Sequence, residues 1–202
     1  MSVITAISPQ LKDKNRVNVY IDGEFVCGLQ LETALKYNLK IGVSLTKERL
    51  SEIEFDSEKT RALEKATAYI SKVMKTKKQL SDYLMGKGYG DAVISFTISK
   101  LSEYGYVDDV SYATSYIRTY GNKKGERLLK YELRSKGVSE EDINNAFTEE
   151  NINKDAVFKV AEKYMQRKEV NREILGKLYK YLLSKGFNYD EVSRAVDKFK
   201  ED

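Results

Sequence analysis

The chain has no histidine, a single cysteine, Cys27, and a single proline, Pro9. Each shortage closes off a chemistry. Without histidine or a second cysteine, a zinc site of the usual His/Cys kind cannot be assembled, and a Ser-His-Asp triad is equally out of reach. One thiol cannot form an intramolecular disulfide framework. No apolar run approaches the roughly 18 residues that span a bilayer, and the N-terminus lacks a signal-peptide pattern, so the expectation is a cytoplasmic protein with no membrane partner. No G-x-x-x-x-G-K-[ST] loop occurs, and "GKGYG" at 86–90 follows a helical pattern rather than a strand, which makes it a turn. The acidic clusters Asp108–Asp109 and Glu140–Glu141–Asp142 read as charges placed at helix starts, where they complement the helix dipole. The expectation is a protein with no catalytic residues, no metal and no cofactor.

What is present is charge and helical pattern. With 41% hydrophobic and 33% charged residues over 202 positions, the chain suits an elongated helical protein with much surface per residue. The net charge of +4 is unevenly spread. Residues 1–56 are close to neutral, with 7 basic and 8 acidic side chains. Residues 118–136 carry Arg118, Lys123, Lys124, Arg127, Lys130, Arg134 and Lys136 against only Glu126 and Glu132. Residues 72–88 carry Lys72, Lys75, Lys77, Lys78 and Lys87 against Asp82. Two basic stretches in a weakly basic protein point to a polyanion-facing surface.

The first part of the chain differs from the rest. In "RVNVYIDGEFVCGL", Val17, Val19 and Ile21 alternate, Asp22-Gly23 follows, and Phe25, Cys27 and Leu29 alternate again. That is a hairpin signal, because glycine readily takes the positive φ of a tight turn. A short helix is expected at 31–37 on Leu31, Ala34 and Leu35, and "TKERLSEIE" adds a further helical turn. From Ser57 onward everything reads helical, with Ala62, Ala66, Tyr69, Ile70 and Val73 on one face, then Val110, Ala113, Tyr116 and Ile117, then Val157, Val160, Ala161, Tyr164 and Met165.

Each of those three helical segments precedes the same phrase. Aligned on Gly88, Gly137 and Gly186, leucines stand eight residues earlier (Leu80, Leu129, Leu178) and four residues earlier (Leu84, Leu133, Leu182). A lysine comes immediately before each glycine and an apolar residue (Tyr89, Val138, Phe187) immediately after. The interval between successive glycines is 49 residues both times. This is an internal repeat. Leucines four apart share a helix face, and glycine just past the last turn takes the left-handed conformation cheaply. If the glycine is C′, the residue after it meets the leucine four before it, as in a Schellman helix end. Gly90, Ser139 and Asn188 then stand as N-caps, with Ser139/Asp142 and Asn188/Glu191 resembling capping boxes. Each unit is therefore expected to hold three helices with a sharp corner between the second and third. The glycines and the leucines Leu84, Leu133 and Leu182 are structural.

These residues resemble the RecX family, bacterial modulators of the RecA recombinase. The first recognisable piece is "KTKKQLSDYLMGKGY", where Lys75, Thr76, Leu80, Leu84, Lys87 and Gly88 fit the family pattern while Gln79 replaces its usual Glu. Leu101, Gly105, Tyr106, Val107, Asp108, Asp109, Tyr112, Ala113 and Arg118 follow the family's G-Y-[IV]-D-D-x-x-[FY]-A run. In "KKGERLLKYELRSKGV", Gly125, Arg127, Leu128, Glu132, Leu133, Lys136, Gly137 and Val138 match a second run. The resemblance covers about residues 57 to 202; the N-terminal module is similar to an extension of some longer members.

The fold expected is mainly α: three tandem three-helix repeats in an elongated curved array (57–107, 108–152 and 153–202) after a small β-hairpin and helix module (1–56). The resemblance implies a non-enzymatic protein that binds in the groove of the RecA–DNA filament and modulates, usually inhibits, ATP hydrolysis, filament extension and strand exchange. The implied partners are the RecA filament and single- or double-stranded DNA without base specificity, met by a monomer. A non-specific DNA-binding helical protein and a pure protein-interaction scaffold are the alternatives. Charge nominates Lys123, Lys124, Arg127, Lys130, Arg134 and Arg118 as a first contact surface, with 123, 127, 130 and 134 on one helical stripe. Lys75, Lys77, Lys78 and Lys87 form the second candidate. The tyrosines Tyr104, Tyr106, Tyr112, Tyr116 and Tyr120 are expected mostly to pack.

Overall fold

The alternation at Val17, Val19 and Ile21 is that of a strand buried on one side, and these residues belong to the sheet core. The computed structural model describes residues 2–150 and 155–200. Its elements run β1 (Ser2–Pro9), β2 (Arg16–Ile21), β3 (Glu24–Gln30), α1 (Leu31–Lys36), β4 (Ser44–Leu45), α2 (Lys47–Ile70), α3 (Lys77–Met85) and α4 (Asp91–Glu103). There follow α5 (Asp109–Tyr120), α6 (Glu126–Ser135), α7 (Glu140–Glu149), α8 (Ala156–Met165), α9 (Arg172–Ser184) and α10 (Tyr189–Asp197). The described residues divide into two compact units. One holds the chain up to Val73 and Leu80–Tyr106; the other holds Met74–Gln79 and the chain from Val107 on.

The first unit contains the hairpin. Asp22 (φ 51°) and Gly23 (φ 89°) both take positive φ, which matches the turn twist to that of β2 and β3. The sheet is larger than a hairpin. β1 pairs antiparallel with β2 and with β4, giving the order β3-β2-β1-β4. Its core is Ile4, Val17, Val19, Ile21, Cys27 and Leu29, closed by Ala34, Leu39, Leu45 and Ile53. In α1 the buried residues are Thr33 and Ala34, whereas Leu31 and Leu35 are exposed, so the face expected from the leucines is rotated. α2 is a single 24-residue helix, started by the Thr46 hydroxyl accepting from the Arg49 N–H, and it runs through the expected boundary at 56/57. Its first half buries Ile53 in the sheet core, and its second half turns Ala62 and Ala66 inward. The helix ends at Ile70, so Val73 lies beyond it and is exposed rather than on its apolar face.

The repeated phrase is built in the same way three times. Leu80, Leu84, Leu129, Leu133, Leu178 and Leu182 are all fully buried, each worth about 1.5–3 kcal/mol of burial. Gly88, Gly137 and Gly186 have φ of 86°, 84° and 87°. The N–H of the residue after each glycine donates to the carbonyl of the expected leucine: Tyr89 to Leu84 (3.3 Å), Val138 to Leu133 (3.1 Å) and Phe187 to Leu182 (3.4 Å). These are the Schellman bonds read from the spacing. A further helix end of this kind follows α4, where Tyr106 N–H reaches the Leu101 carbonyl around Gly105. After the corners, Asn188 and Glu191 close a full capping box. Ser139 caps the Asp142 N–H, but the shorter Asp142 side chain accepts from the Ser139 hydroxyl instead of returning to the backbone.

In the second unit the three-helix groups α5–α7 and α8–α10 each have an apolar cluster. One gathers Ala113, Ile117, Leu133, Val138, Ile143 and Ala146, and the other gathers Val157, Ala161, Leu178, Leu182, Phe187 and Val192. Its two corners are covered by the starts of the second helices that precede them. The buried Thr76 hydroxyl donates to the Lys136 carbonyl (2.7 Å), and the Gly125 N–H donates to the Lys185 carbonyl (2.8 Å), both across 60 residues. Thr76 also caps the Gln79 N–H while the Gln79 side chain accepts from the Thr76 N–H, so glutamine keeps the box where the resemblance expected Glu.

Candidate functional site

α6 owes its amphipathic form to Leu129 and Leu133, which bury one side and leave Arg127, Lys130, Tyr131 and Arg134 on the other. Tyr131 is four residues after Arg127 and three before Arg134, so all three share a face. With Leu183 and Ser184 of α9 they line a groove of about 450 Å³. Three of the charge-nominated residues are thereby brought together, and the two-thirds-exposed Tyr131 stands among them. Tyr131 was missed from the sequence because it lies outside the dense run of tyrosines; its helical spacing from the arginines was the available signal.

Other nominated residues have different tasks. α6 begins at Glu126, so Lys123 and Lys124 lie in the preceding turn, and the helical stripe holds only 127, 130 and 134. Lys124 points inward. Its Nζ bonds both oxygens of Glu132 (2.6 and 2.7 Å) and lies over the Tyr120 ring at 4.6 Å. The Tyr116 hydroxyl donates to the same carboxylate at 2.9 Å. Burial would raise the Glu132 pKa, but the bonds from Lys124 and Tyr116 outweigh it and hold the carboxyl below its usual range. Burial first, and the bond to Glu132 second, raise the Tyr116 hydroxyl. Tyr112 stacks on Tyr116, and Tyr120 meets Tyr116 at a tilt with ring centroids 4.5 Å apart, which is the packing role expected of them. Tyr104 and Tyr106, in contrast, are well exposed, edge to face at 6.3 Å.

The local excess of positive charge is partly neutralised, by Glu140 and Glu150 from outside the stretch that defined it and by Glu126 within it. Arg118 pairs with Glu150, Arg134 with Glu140, and Lys130 with Glu126 at 2.6 Å. Among the described residues, exposed Lys123 and Arg127 have no ion pair. Surface pairs contribute only about 0–1 kcal/mol each, so Lys130 and Arg134 can exchange their carboxylates for those of a partner at little cost. The groove can thus take carboxylate or phosphate oxygens through two guanidinium forks and an ammonium, with a tyrosine face beside them.

The second nominated stretch is divided between the two units. Lys77 gives its backbone N–H to the buried Asp109 carboxylate (2.8 Å), and the Lys78 side chain lies over Gly137. Lys75 is half-buried in the same connecting segment. Lys87 sits in the first unit, over the Tyr83 ring at 5.4 Å. Asp108 caps its own helix through the Val110 N–H and the Ser111 hydroxyl, as read, while Asp109 caps the start of α3 instead. Among the described residues there is no helix long and apolar enough to cross a membrane and no cluster of acidic residues or cysteine that could hold a metal.

A small antiparallel sheet followed by tri-helical groups, closed at glycine corners and carrying cations along helix faces, defines a tri-helical repeat protein. Four family models match it in succession: the regulatory protein RecX N-terminal domain at residues 2–46, and the first, second and third RecX three-helix domains at 62–110, 108–146 and 154–196. The chain belongs to the RecX family. It is 33% identical to the regulatory protein RecX of Clostridium tetani, covering 96% of this chain and 93% of that one. It is 36% identical to that of Clostridium perfringens strain SM101, covering 97% and 95%. A crystal structure of regulatory protein RecX superposes with a TM-score of 0.70 at 26% identity, over 98% of this chain and all of that one. The RecX structure from Lactobacillus salivarius gives 0.64 at 26% identity, over 72% of this chain and 98% of that one.

Proposed function

We propose that the protein binds the RecA–DNA filament as a cytoplasmic monomer and lowers RecA ATPase, filament extension and strand exchange. The observation that carries this is the groove beside α6, where Arg127, Lys130 and Arg134 converge around exposed Tyr131. Such a surface meets acidic side chains or phosphate oxygens, the contacts that position a partner and carry no base sequence. Family membership supports the same reading.

The test uses Lys123→Glu with Arg127→Glu, which leaves the Lys124–Glu132 clamp untouched. Both targets are exposed and unpaired, so folding stability stays within about 1 kcal/mol of the parent per residue. Binding to RecA filaments on single-stranded DNA, followed by anisotropy across a salt series, weakens about tenfold at low salt, and its salt dependence flattens. DNA-stimulated ATPase measured with cognate RecA loses its inhibition in parallel. A folded double variant that binds and inhibits like the parent overturns this assignment. Tight binding to naked duplex with no effect on the recombinase would make it a DNA-binding protein instead.

A further inference from the structure

The first unit contains a cleft of about 250 Å³ that none of the roles above uses. Arg16 enters it from the start of β2, Arg61 and Lys65 from successive turns of α2, and Lys87 and Tyr89 from the corner after α3. Glu58 is the one acid in its lining. Three features set it apart from an ordinary solvated face. First, four cations meet one carboxylate, and among the described residues none of the four has an ion pair, although Arg118, Lys124, Lys130 and Arg134 all do. Arg16 is aimed by its Nη2 donating to the Gly28 carbonyl (2.6 Å), and burial together with the neighbouring Arg61 pushes its pKa below the ordinary value. Second, the Tyr89 hydroxyl is buried and makes no hydrogen bond, an unmet donor that costs about 1–3 kcal/mol if nothing fills it. Third, the corner here is uncovered. A Cβ at Gly88 would meet nothing within 4 Å, whereas at Gly137 and Gly186 it would run into Lys78 and Leu128.

We propose that this cleft is a phosphate-binding site, in which Arg16, Arg61, Lys65 and Lys87 neutralise the anion and the Tyr89 hydroxyl donates to one of its oxygens. The cleft is smaller than the roughly 300–1,000 Å³ of pockets that enclose whole small molecules, so it suits the phosphate group rather than an attached nucleoside. Arginine forks provide the paired donors that a tetrahedral oxyanion accepts. The phosphate can belong to a nucleic-acid backbone or be free in solution; the chemistry in the cleft is the same. The site is separate from the α6 groove and is tested without the recombinase.

The full chain is titrated with inorganic phosphate at constant ionic strength set by chloride, and in parallel with a twelve-residue oligothymidine, following backbone amide resonances of Arg61, Gly88 and Tyr89. Saturable shifts with at least one probe are expected. Both probes acting, or phosphate alone, makes the free anion a ligand; oligothymidine alone assigns the site to the diester backbone. Arg61→Gln with Lys65→Gln weakens binding at least about tenfold, and Tyr89→Phe about two- to tenfold. Glu58→Gln strengthens it. If the double variant loses its thermal transition, Lys65→Gln with Lys87→Gln takes its place. The proposal is overturned if neither probe moves these amides beyond the chloride control, or if the folded double variant binds like the parent.

Discussion

The corner at Gly88 and the corners at Gly137 and Gly186 share the same leucine spacing, the same Schellman bonds and φ between 84° and 87°, yet their surroundings differ. In the second unit each glycine lies under the start of an earlier helix, so it is required twice: once for its left-handed backbone and once for lack of room. At Gly88 only the backbone requirement holds, and a basic cleft occupies the place beside it. One sequence phrase therefore serves two purposes. Its local part ends a helix, and what it does beyond that depends on whether another element comes down on it.

Alanine substitution separates the two requirements. Gly186→Ala drives a Cβ into the Leu128 backbone nitrogen, in addition to forcing alanine to positive φ. About 3 kcal/mol is expected from the left-handed cost and overpacking together. Gly125→Ala has ordinary φ but runs into the Gly186 carbonyl oxygen, so it should lose about 1–3 kcal/mol from crowding alone. Gly88→Ala should lose only about 1–2 kcal/mol. Denaturant midpoints measure the series, and equal losses at Gly88 and Gly186 would break the comparison.

The cover on Gly137 can be loosened without touching the corner. Thr76→Val keeps the shape but removes the hydroxyl that donates to the Lys136 carbonyl and caps the Gln79 N–H. A loss of about 1–2 kcal/mol is expected. Hydrogen exchange should localise it to the Val138 amide and its neighbours in the second unit, leaving the Tyr89 amide protected as before.

The smallest effect contrasts one buried acid from each unit. Burial would raise Asp56, but the bonds from Lys36 (2.8 Å) and Lys59 (2.6 Å) prevail and keep its pKa below the ordinary value. Its contribution is therefore complete above the usual carboxylate range and fades as pH falls through the lowered value. Asp109 goes the other way: burial raises its pKa although it accepts from the Lys77 N–H. The native state takes up that proton first, so its titration favours the fold as pH falls. Asp56→Asn should flatten the acid limb of the stability–pH curve and Asp109→Asn should steepen it, read from urea midpoints between neutral pH and about pH 3.

The helices, their corners and the caps were legible because each depends on residues within five positions of one another. Strand β1 was not. Its eight residues bury only Ile4 completely, so no alternation marks it, and β4 is two residues long. The α6 groove was half legible: helical spacing gathers Arg127, Lys130 and Arg134, but Leu183 and Ser184 arrive from α9. Charge counting in a window overstated the free positive charge, because Glu140 and Glu150 return to Arg134 and Arg118 from outside it. The cleft in the first unit was illegible, since Arg16, Arg61 and Lys87 are brought together only by folding.

The 60-residue reach from Thr76 to Lys136 and from Gly125 to Lys185 has a direction. In both pairs the covering residue precedes the corner it covers, so a ribosome makes the lid first. At about 5–20 residues per second the chain needs about 3–12 s to reach the corner after its lid has been made. Neither corner takes its cover from a segment later in the chain than itself, so the second unit can close module by module in the order in which its segments leave the ribosome.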